Sequence, residues 1–507
     1  MWPSGKAADF GSAIAGSNPA TPAIRVGRGA KELLFFALGG SDMAGFSSLV
    51  LAAGKGKRMK SSLPKVLHPI LGEPMIYYVL SSLREAGSSS IGVVVGHGAE
   101  QVSSYVRGLF EGVELMVQGE QRGTADAVRT ASSWLSGREE VVVLPGDAPL
   151  VRSSTLSRAV ERFRASGADM LLLSAELEDP SGYGRVVRGE GELVRAVVEE
   201  KDASPEQRAI REVNSGIYVF KVEPLLSLLP RVGCSNAQGE YYLTDLVSLF
   251  AEGGLRVLAL QVDGEEVLGV NDRWQLALAS RAMQRRINRF WCERGVSIED
   301  PDSAFVGPRA VLEEDVRLSP FVYVLGRSAV GEGSFVGPNT LLRDAVLGRR
   351  VFVHGFCVVE GSTVCDGARL GPFAYVRDGA LLEEEAFAGR FVEIKGSSIG
   401  KRTKVPHLSY IGDATVGCDT NIGAGTITCN FDGQRKHPTR IGDNCFIGSD
   451  TMLVAPVEVG DGAYTAAGSV ITEDVPPGAL GVGRARQRNI ADWARRRALA
   501  RGERKGD

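Results

Sequence analysis

Residues 441–471, IGDNCFIGSDTMLVAPVEVGDGAYTAAGSVI, place an apolar or threonine side chain at every sixth position. The repeated positions are Ile441, Ile447, Leu453, Val459, Thr465 and Ile471. A six-residue period matches neither the helical period of 3.6 nor the strand period of 2, but it is the period of a hexapeptide β-helix. Each step of such a helix supplies one short strand and one turn, and the repeated side chain fills the axis. The stretch therefore predicts an all-β domain of stacked coils.

The same period extends towards the N-terminal side of this stretch. It is carried by Leu347, Val353, Val359 and Cys365, and then by Leu370, Val376, Leu382, Ala388 and Ile394. Glycine often follows the repeated residue, as at Gly423, Gly442 and Gly460, which suits corners that need unusual backbone angles. We expect residues 300–483 to form a β-helix of about nine coils.

The preceding part of the chain has a different pattern. From residue 44 to 272, continuous apolar runs alternate with helix-like stretches such as 124–135. The runs at 91–97, 141–146 and 170–177 are bounded by turn residues, as is typical of strands buried on both faces of a parallel sheet. This pattern predicts an α/β doubly wound, Rossmann-like domain, with its ligand crevice at the carboxyl ends of the strands.

Three other segments complete the predicted organisation. The segment 273–299 is predicted to be a linker helix, because its apolar residues recur at helical spacing. These residues are Leu276, Met283, Ile287 and Phe290. The tail, 484–507, carries nine Lys and Arg against three Asp and Glu, so it is predicted to be a solvated basic tail, with a minor role in holding an anionic substrate left open near its start. Residues 1–43 are rich in Gly, Ala, Ser and Pro without periodicity and are expected to be disordered. If translation in the cell begins at Met43 and the start codon has been assigned too far upstream, this segment is never made. The alternative is that it is a natural flexible extension.

The overall composition argues against several classes of protein. The 507 residues are too many for one core, and the net charge of −3 gives no reason to expect nucleic acid or a membrane surface as a partner. No apolar run approaches the ~20 residues that a membrane span needs, and no signal-peptide cleavage site follows the short apolar run at 33–38. The seven cysteines form no C-x-x-C pair, which fits free thiols in a reducing compartment. We expect a cytoplasmic protein with small-molecule substrates.

The stretch LAAGKGKRM at 51–59, with LPK shortly after it, predicts a site for a polyanion. Gly54 and Gly56 let the backbone approach phosphate oxygens, and successive N–H groups form an anion nest. Arg58 and Lys65 are expected to neutralise the phosphates, and a helix starting just after the loop is expected to add its positive end. The stretch lacks the G-x-x-x-x-G-K-S/T pattern, so an ordinary P-loop ATPase is excluded.

Asp147 directly follows the apolar run VVVLPG. The carboxyl end of a buried strand is where a Mg²⁺ ligand is expected in such a sheet. A helix cap is the alternative role for this aspartate.

In the second half, His407 is one of five histidines and lies in KVPHLSY. Steps of five residues instead of six, at 394–399 and 411–416, shift the hexad phase on either side. The stretch NFDGQRKHP at 430–438 interrupts the repeat and is predicted to project as a loop, and loops on a rigid scaffold often carry function. A structural hydrogen-bonding histidine is the alternative, and no His/Cys pair here has metal-ligand spacing.

Eight motifs appear in order over residues 51–273, namely LAAGKGKRM, LPK, QGEQRGTADAV, LPGDAP, GYGR, VEEKDA, EVNSGIY and GVNDR. In this order they resemble the sugar-nucleotide pyrophosphorylases. With the hexapeptide repeat behind them, residues 46 to about 488 resemble the bifunctional family that joins an N-acetylglucosamine-1-phosphate uridyltransferase to a glucosamine-1-phosphate acetyltransferase. The resemblance implies a left-handed β-helix, a homotrimer and acetyl-CoA sites between subunits.

For the first half, the resemblance implies a pocket for UTP and for the product UDP-N-acetylglucosamine. The residues implied are Leu51, Ala53, Gly54, Lys65, Gln118, Gly123, Thr124, Gly184, Glu199, Asn214 and Asn271. Among them, Gln118 would read the edge of the base, while Gly184, Glu199 and Asn214 would grip the sugar.

The resemblance also implies Mg²⁺, held by Asp147 and Asn271, and catalytic charges at Arg58 and Lys65. A sugar-phosphate oxygen would attack the α-phosphorus of UTP, and pyrophosphate would leave. This nucleophile is already ionised near neutral pH, so no general base is required. Catalysis would then consist of positioning and charge neutralisation.

For the second half, the resemblance implies that His407 is the general base for acetyl transfer from acetyl-CoA. The residues implied to bind glucosamine 1-phosphate are Arg377, Lys395, Tyr410, Asn421 and Lys436. The residues implied to bind acetyl-CoA are Asn430, Phe431, Ser449, Ala467 and Arg484. Phe431 stands where the family commonly has Tyr, and Asp378 follows Arg377 where the family usually has Pro.

Together the resemblances imply an enzyme that acetylates glucosamine 1-phosphate and then uridylylates the product. UDP-N-acetylglucosamine would feed the synthesis of peptidoglycan and lipopolysaccharide precursors. The first alternative is a single-activity nucleotidyltransferase whose β-helix serves only as an oligomerisation scaffold, and the motifs KVPHLSY, NIGAG and NFDG argue against it. The second is a non-catalytic sensor, which would tolerate the loss of Asp147 or Lys65, and both residues are present.

Overall fold

The computed structural model describes residues 45–501, so the segment predicted to be disordered, residues 1–43, lies outside the described residues. An α/β part comes first, and a long helix connects it to a β-helix. No helix within the described residues is long and apolar enough to cross a membrane. The predicted fold class is confirmed in both halves.

The α/β part is built around a mixed nine-stranded sheet. Its strands, with a small separate hairpin of β2 and β3, are β1 Phe46–Ala52, β2 Pro69–Ile70, β3 Glu73–Pro74, β4 Ser88–Val95, β5 Val113–Val117, β6 Glu140–Pro145, β7 Met170–Glu176, β8 Arg185–Arg188, β9 Val194–Val198, β10 Glu212–Lys221 and β11 Val257–Gln261. The order along the sheet is β11-β7-β10-β6-β1-β4-β5, and β8 pairs with both β10 and β9. The three apolar runs predicted as strands form most of β4, β6 and β7, and their side chains fill the two faces of the core because helices cover both sides.

The expectation of parallel strands holds for the predicted runs β4, β6 and β7 but not for β10 or for the antiparallel β8–β9 pair. Strand β10 runs antiparallel to both β6 and β7 and returns the chain from the β8–β9 hairpin. A continuous apolar run reports burial on both faces and carries no information about strand direction. The antiparallel strand was therefore not visible in the sequence pattern.

Helices surround the sheet and continue to the end of the described residues. They are α1 Met75–Glu85, α2 Ala99–Leu109, α3 Thr124–Thr130, α4 Ser132–Leu135, α5 Ser153–Ser166, α6 Pro205–Arg208, α7 Val222–Leu228, α8 Asp245–Glu252, α9 Arg273–Cys292 and α10 Trp493–Ala500. Short 3-10 helices span Lys57–Met59, Lys65–Leu67, Leu229–Arg231 and Gly264–Val267.

Helix α9 connects the two parts and ends at Cys292. Asp272 caps it by accepting a hydrogen bond from the backbone N–H of Gln275 at 2.9 Å, a typical N-cap arrangement. Its buried face contains Met283 and Ile287. The side chain of Asn288 is fully buried and donates to the carbonyl oxygen of Ala304 at 2.9 Å, which ties the helix to the first coil of the β-helix.

The β-helix consists of three parallel ladders of 11, 10 and 9 strands, about ten coils against the nine predicted. We call the ladders face 1, face 2 and face 3. Face 1 contains Ser297–Ile298, Arg317–Leu318, Phe335–Val336, Phe352–Val353, Arg369–Leu370, Phe387–Arg390, Lys404–His407, Asn421–Ile422, Phe446–Ile447, Tyr464–Thr465 and Leu480–Gly481. Face 2 contains Phe305–Val306, Tyr323–Leu325, Leu341–Arg343, Val358–Glu360, Tyr375–Arg377, Glu393–Lys395, Tyr410–Gly412, Ile427–Cys429, Met452–Val454 and Val470–Ile471. Face 3 contains Val311–Leu312, Ala329–Val330, Val346–Leu347, Thr363–Val364, Leu381–Leu382, Ser398–Ile399, Ala414–Val416, Thr439–Ile441 and Val457–Val459.

The side chains at the predicted six-residue positions are buried and, with the exception of Cys365, line the axis of this helix. The prediction for Cys365 is wrong: at that coil Val364 takes the axial place between Leu347 and Leu382, because the step from Val359 is five residues long. The two five-residue steps also end on buried side chains, Ile399 and Val416. The stretch 430–438 leaves the coil between faces 2 and 3, and its exposed residues are joined by a bridge between Phe431 and Lys436. The prediction of a projecting loop is confirmed.

Candidate functional site

The glycine loop after β1 packs directly against Lys65. Gly56 has a φ of 56°, and a Cβ added there would lie 2.7 Å from the Cβ of Lys65. Glycine is required at this point because the backbone is left-handed and has no room for a side chain. The predicted helix after the loop is wrong, because the chain forms only a 3-10 turn, Lys57–Met59, and the first α-helix starts at Met75. Arg58 lies on that turn with an exposed side chain.

Lys65 meets both predicted metal ligands at the edge of the sheet. Its ammonium nitrogen donates to the Oδ1 atom of Asn271 at 2.9 Å and forms an ion pair with Asp147. The backbone N–H of Val270 donates to the carbonyl oxygen of Asp147 at 3.0 Å, which holds the two segments together. The three functional groups therefore converge on one point at the carboxyl end of β6.

The arrangement fits a divalent cation on its donor chemistry. The side-chain oxygens of Asp147 and Asn271 already share one cation, the ammonium group of Lys65. Mg²⁺ prefers oxygen ligands and usually keeps waters and substrate phosphates in its coordination shell, so two protein oxygens suffice. Within residues 45–501, no group of three or more His, Cys, Asp or Glu residues is placed to hold a metal.

The first predicted nucleotide-binding residues, Leu51, Ala53 and Gly54, lie at or just after the end of β1, which pairs with β4 and β6. The carbonyl oxygen of Leu51 accepts from Gly146 at 2.9 Å, and that of Ala53 accepts from His97 at 3.1 Å. Nothing lies within 4 Å of a Cβ placed at Gly54. The backbone here is fixed by neighbouring strands while the space beside Gly54 stays open.

Gln118 lies at the end of β5 and is buried. Its backbone N–H donates to the carbonyl oxygen of Val95 at 2.8 Å. Its side-chain nitrogen donates to the Oδ2 atom of Asp126 at 2.8 Å. The amide that is predicted to read the base is therefore held in one orientation.

Gly123 and Thr124 begin α3 against the segment 241–243. Gly123 has a φ of 126°, and a Cβ there would lie 2.5 Å from the carbonyl oxygen of Tyr241. The hydroxyl of Thr124 accepts from the backbone N–H of Leu243 at 2.9 Å. Only glycine fits this close approach of two backbones.

The three predicted sugar residues also meet. The backbone N–H of Asn214 donates to the carbonyl oxygen of Gly184 at 2.9 Å, and a Cβ at Gly184 would lie 3.6 Å from the Glu199 carboxylate. The hydroxyl of Thr244 donates to the Glu199 carboxylate at 3.1 Å. Burial raises the pKa of Glu199, and this hydrogen bond has the smaller, opposite effect of lowering it. The amide nitrogen of Asn214 donates to Tyr218 at 2.7 Å, while its buried Oδ1 atom has no hydrogen-bond partner within residues 45–501. A sugar hydroxyl or amide could satisfy that oxygen.

In the β-helix, His407 belongs to a row of equivalent positions along the corner that ends face 1, here called the His407 file, and Arg390 precedes it on the coil before. His407 follows the strand position of Val405 by two residues, and equivalent positions on the next coils bring Ala424, Ser449 and Ala467 into the same file. Arg484 joins it, because its Cδ atom lies 3.8 Å from a Cβ placed at Gly468. The side chain of His407 is exposed.

A second cluster lies at the opposite edge of face 2, centred on Asp413. This carboxylate accepts from Lys395 at 3.0 Å and from the side chain of Asn430 at 2.6 Å. The amide of Asn430 also lies 3.4 Å from the hydroxyl oxygen of Tyr410. Lys436 lies close to Lys395, and the neighbouring ammonium group lowers the pKa of Lys436. Four of the predicted residues are therefore brought together.

Arg377 lies one coil before Lys395 on face 2. Its guanidinium donates to Glu393 at 2.9 and 2.7 Å and to Asp378 at 2.7 Å. Phe431 is 61% exposed on the neighbouring loop. The predicted phosphate-binding arginine is thus surrounded by carboxylates of its own chain.

Asn421 does not join this cluster within one chain. It begins a strand of face 1, beside Lys404, and lines a cavity of about 450 Å³ with Arg369 and Glu385. The other predicted sugar residues lie on face 2 or on the loop after it. Likewise Asn430 lies with the sugar residues rather than with the file of Ser449 and Ala467.

Sequence reasoning missed three residues that the geometry places in these sites. Asp126 and Asp413 hold the predicted side chains of Gln118 and Lys395, and Ala424 belongs to the file of His407. Counting coils from His407 would have found Ala424, since it lies in NIGAG at the same corner. The two aspartates carried no signal, because their role depends on contacts between distant segments.

The fold and the two sites define a nucleotidyltransferase joined to a hexapeptide-repeat transferase. A family model described as nucleotidyl transferase matches residues 47–293, and one described as bacterial transferase hexapeptide (six repeats) matches residues 438–473.

Curated relatives match the two halves together. The relative from Heliobacterium modesticaldum is 48% identical over 444 residues, covering 87% of this chain and 96% of its own. The relative from Shouchella clausii is 43% identical and covers 90% and 100%, and that from Streptomyces avermitilis is 46% identical and covers 89% and 94%. Each is named bifunctional protein GlmU. This chain belongs to the GlmU family of bifunctional proteins.

Proposed function

We propose that the chain makes UDP-N-acetylglucosamine in two reactions at two separate sites. An acetyl group passes from acetyl-CoA to glucosamine 1-phosphate, and a uridylyl group then passes from UTP to N-acetylglucosamine 1-phosphate with release of pyrophosphate. The observation that carries the proposal is that one chain of the bifunctional family contains two separate groups of residues. The first is Lys65 with Asp147 and Asn271, and the second is the His407 file along the corner of the β-helix. The product is a precursor for cell-wall synthesis.

In the uridylyl transfer, a phosphate oxygen of the sugar attacks the α-phosphorus of UTP. The P–O bond to the β-phosphate breaks, and the electron pair leaves with pyrophosphate. Arg58 and Lys65 neutralise the charge that builds on the phosphates, and the sugar is oriented by Glu199 and Asn214. When bound, Mg²⁺ would neutralise and orient the phosphate oxygens, and Asp147 would be one of the residues that hold it.

In the acetyl transfer, the neutral amine of the sugar attacks the thioester carbonyl carbon. The new C–N bond forms, the C–S bond breaks, and coenzyme A leaves as its thiolate. His407 takes the proton from the amine as the bond forms, and a histidine suits this task because its usual pKa lies near neutral pH. Because the side chain of His407 is exposed at a corner, it is open to two substrates.

The acetyl-CoA residues are proposed to follow the corner file. Ser449 and Ala467 lie on successive coils beyond His407, so an extended molecule can run along them with its thioester at the histidine. Arg484 at the far end would meet the phosphates of the coenzyme. Asn430 and Phe431, which lie with the sugar cluster of their own chain, can meet this coenzyme only if a second copy presents them.

The separation of Asn421 from Tyr410 supports assembly of several copies, which we propose to be a homotrimer. Asn421 lies at the start of a strand of face 1, whereas Tyr410 lies with Asn430 and Asp413 at the far edge of face 2, so one copy does not bring both residues to the same sugar. If face 1 of one copy meets face 2 of the next, both residues can contact the same ligand. Stacked exposed rings on the adjoining corner, with Phe373 and Phe391 5.0 Å apart, supply apolar surface for such packing.

The cytoplasm is the proposed site of action. UTP and acetyl-CoA are cytoplasmic metabolites, and the seven cysteines, all within the described residues, are present as free thiols. The alternative of a β-helix that serves only as a scaffold gives no reason for the partly buried hydrogen-bonded cluster around Asp413.

The test is to supply glucosamine 1-phosphate, acetyl-CoA, UTP and Mg²⁺ to the purified protein and to follow products by mass spectrometry. We expect UDP-N-acetylglucosamine, and we expect it to require acetyl-CoA unless N-acetylglucosamine 1-phosphate is supplied instead. Uridylylation of the acetylated sugar without any acetylation of the amine would favour the single-activity alternative.

A further inference from the structure

The side-chain amide of Gln118 is held by two groups that can only accept hydrogen bonds. Its nitrogen donates to the Oδ2 atom of Asp126 at 2.8 Å and lies 3.5 Å from the carbonyl oxygen of Gly123. A backbone carbonyl and an ionised carboxylate offer lone pairs and no proton. A rotated amide would turn its own oxygen towards both acceptors, so the observed orientation is strongly preferred.

Arg122 pairs with the second oxygen of the Asp126 carboxylate. Its guanidinium donates to the Oδ1 atom of Asp126 at 3.0 Å, while Oδ2 serves Gln118. Asp126 is 6% exposed, so water does not compete effectively for these bonds. The Asp126 carboxylate thus accepts hydrogen bonds from two side chains. One is the Arg122 guanidinium, which can only donate, and the other is the Gln118 amide that is predicted to read the base.

We propose that Asp126 is a positioning residue for nucleotide selection, because it turns the oxygen of the Gln118 amide, and not the nitrogen, towards the base. This inference rests on the proposed uridylyl transfer. Uracil carries an N3–H donor, which the Gln118 oxygen can accept. Cytosine has a bare N3 acceptor at the same place, so it would face the oxygen with no proton between them. A buried polar site of this kind discriminates strongly, because the mismatch leaves both groups unpaired.

The substitution Asp126→Asn should reverse the amide. The guanidinium of Arg122 only donates, so it selects the oxygen of the introduced asparagine and turns the nitrogen of that side chain towards Gln118. The oxygen of Gln118 then accepts from the introduced amide, and the nitrogen of Gln118 faces the base. A donor at this place fits the N3 atom of cytosine.

The experiment measures kcat/KM for UTP and for CTP with N-acetylglucosamine 1-phosphate in the full-length protein. We expect the wild type to prefer UTP by about 100-fold or more, and we expect Asp126→Asn to lower the UTP/CTP ratio by at least about tenfold. Glu120→Gln is the matched control, since Glu120 is exposed and lies beside the same Arg122 without a contact to Gln118 among the described hydrogen bonds. It should leave the ratio unchanged.

The double variant Gln118→Glu with Asp126→Asn separates orientation from a merely structural role. The carboxylate introduced at position 118 can accept from the asparagine introduced at position 126 and still offers an oxygen to the base, so the UTP preference should return. Thermal unfolding of every variant reports whether the domain is intact. If Asp126→Asn alone is poorly folded, the other two measurements still test the inference. A folded double variant must prefer UTP, and a wild type that uses CTP as well as UTP overturns the inference.

The experiment distinguishes failure of this inference from failure of the proposed function. A wild type that transfers no uridylyl group defeats the function itself. A selective wild type with an unchanged ratio in a folded Asp126→Asn variant defeats only the orientation of Gln118.

Discussion

The ammonium nitrogen of Lys65 lies 2.9 Å from the side-chain oxygen of Asn271, and the same ammonium group pairs with Asp147. Lys65 therefore occupies the point between the two oxygens that we propose as metal ligands. An ammonium group and a divalent cation repel each other at such short range. Lys65 must leave this point when the metal site fills, and the phosphates of the nucleotide are its proposed next partner.

Lys65→Ala should lower kcat for uridylyl transfer by about 10²–10³-fold, as expected for the loss of one preorganised charge contact. It should also tighten the binding of Mn²⁺, used as a probe in an electron paramagnetic resonance titration, because the competing ammonium group is gone. Lys221→Ala is the control, since Lys221 forms a similar pair with Asp169 at 2.8 Å at the other end of the strands. Weaker Mn²⁺ binding in Lys65→Ala would refute the competition.

Gly123→Ala should damage the nucleotide pocket through backbone strain. The φ of 126° belongs to a region used essentially by glycine, and the added Cβ would meet the Tyr241 backbone. We expect a loss of about 2–3 kcal/mol in stability together with loss of uridylyl transfer, measured by chemical denaturation and by pyrophosphate release. Gly119→Ala, in the same motif but with nothing within 4 Å of the new Cβ, should behave as wild type. Equal stability of the two variants would contradict the prediction.

The carboxyl group of Glu85 makes the free energy of unfolding depend on pH, in a direction that its pKa predicts. Burial raises its pKa to about 7, against a smaller lowering by a hydrogen bond with Ser153, and its Oε1 atom is buried with no hydrogen-bond partner among the described residues. Because the folded pKa is raised, the folded state holds the proton more tightly, and stability falls as the pH rises from about 4.5 towards 7.

Glu85→Gln removes this proton dependence. The variant should gain about 1–2 kcal/mol relative to wild type at pH 8, a value reduced from the full linkage because the side chain is partly screened by water. The gain should shrink at pH 4.5, as measured by urea unfolding at both pH values. Glu100→Gln, an exposed change on α2, is the control. A gain that is the same at both pH values would show that Glu85 is not the titrating group.

Asp378→Asn should improve binding of glucosamine 1-phosphate. Asp378 accepts from Arg377 at 2.7 Å and so competes with the sugar phosphate for the guanidinium. Asparagine tolerates the φ of 58° at this position. We expect KM for the amino sugar to fall about two- to fivefold, in line with the small energy of a partly exposed ion pair, with kcat little changed.

The control for this change is Asp366→Asn, which breaks the pair with Arg349 at 3.1 Å elsewhere on the β-helix. Its KM should equal that of the wild type. A rise in KM for Asp378→Asn would mean that Asp378 orients Arg377 instead of competing for it.

The repeat at Ile441, Ile447 and Leu453 was enough to predict the β-helix, because only one architecture places every sixth residue on an axis. The apolar runs were likewise enough for the α/β part. The direction of β10 was not predictable, since burial patterns do not report direction. The missing helix after the glycine loop shows that a phosphate motif does not by itself predict the element behind it.

Asp147 lies at the carboxyl end of β6, where the sequence placed it, because the apolar run directly before it determines where the strand ends. The face of Asn421 was not predictable, since the loop 430–438 and the five-residue steps shift the count of residues per coil. The partners Asp126 and Asp413 were missed for a similar reason, because side-chain contacts between distant segments leave no local pattern. The domain boundaries and the roles of the site residues remain predictions.

Division of labour between two distant sites is tested most directly by assaying both half-reactions in one preparation of each of two variants. His407→Ala should lose acetyl transfer by at least about 10²-fold and keep uridylyl transfer to pre-acetylated sugar at the wild-type rate. Asp147→Asn should show the reverse pattern. Loss of both activities in either variant, with unfolding curves like those of the wild type, would contradict two independent centres.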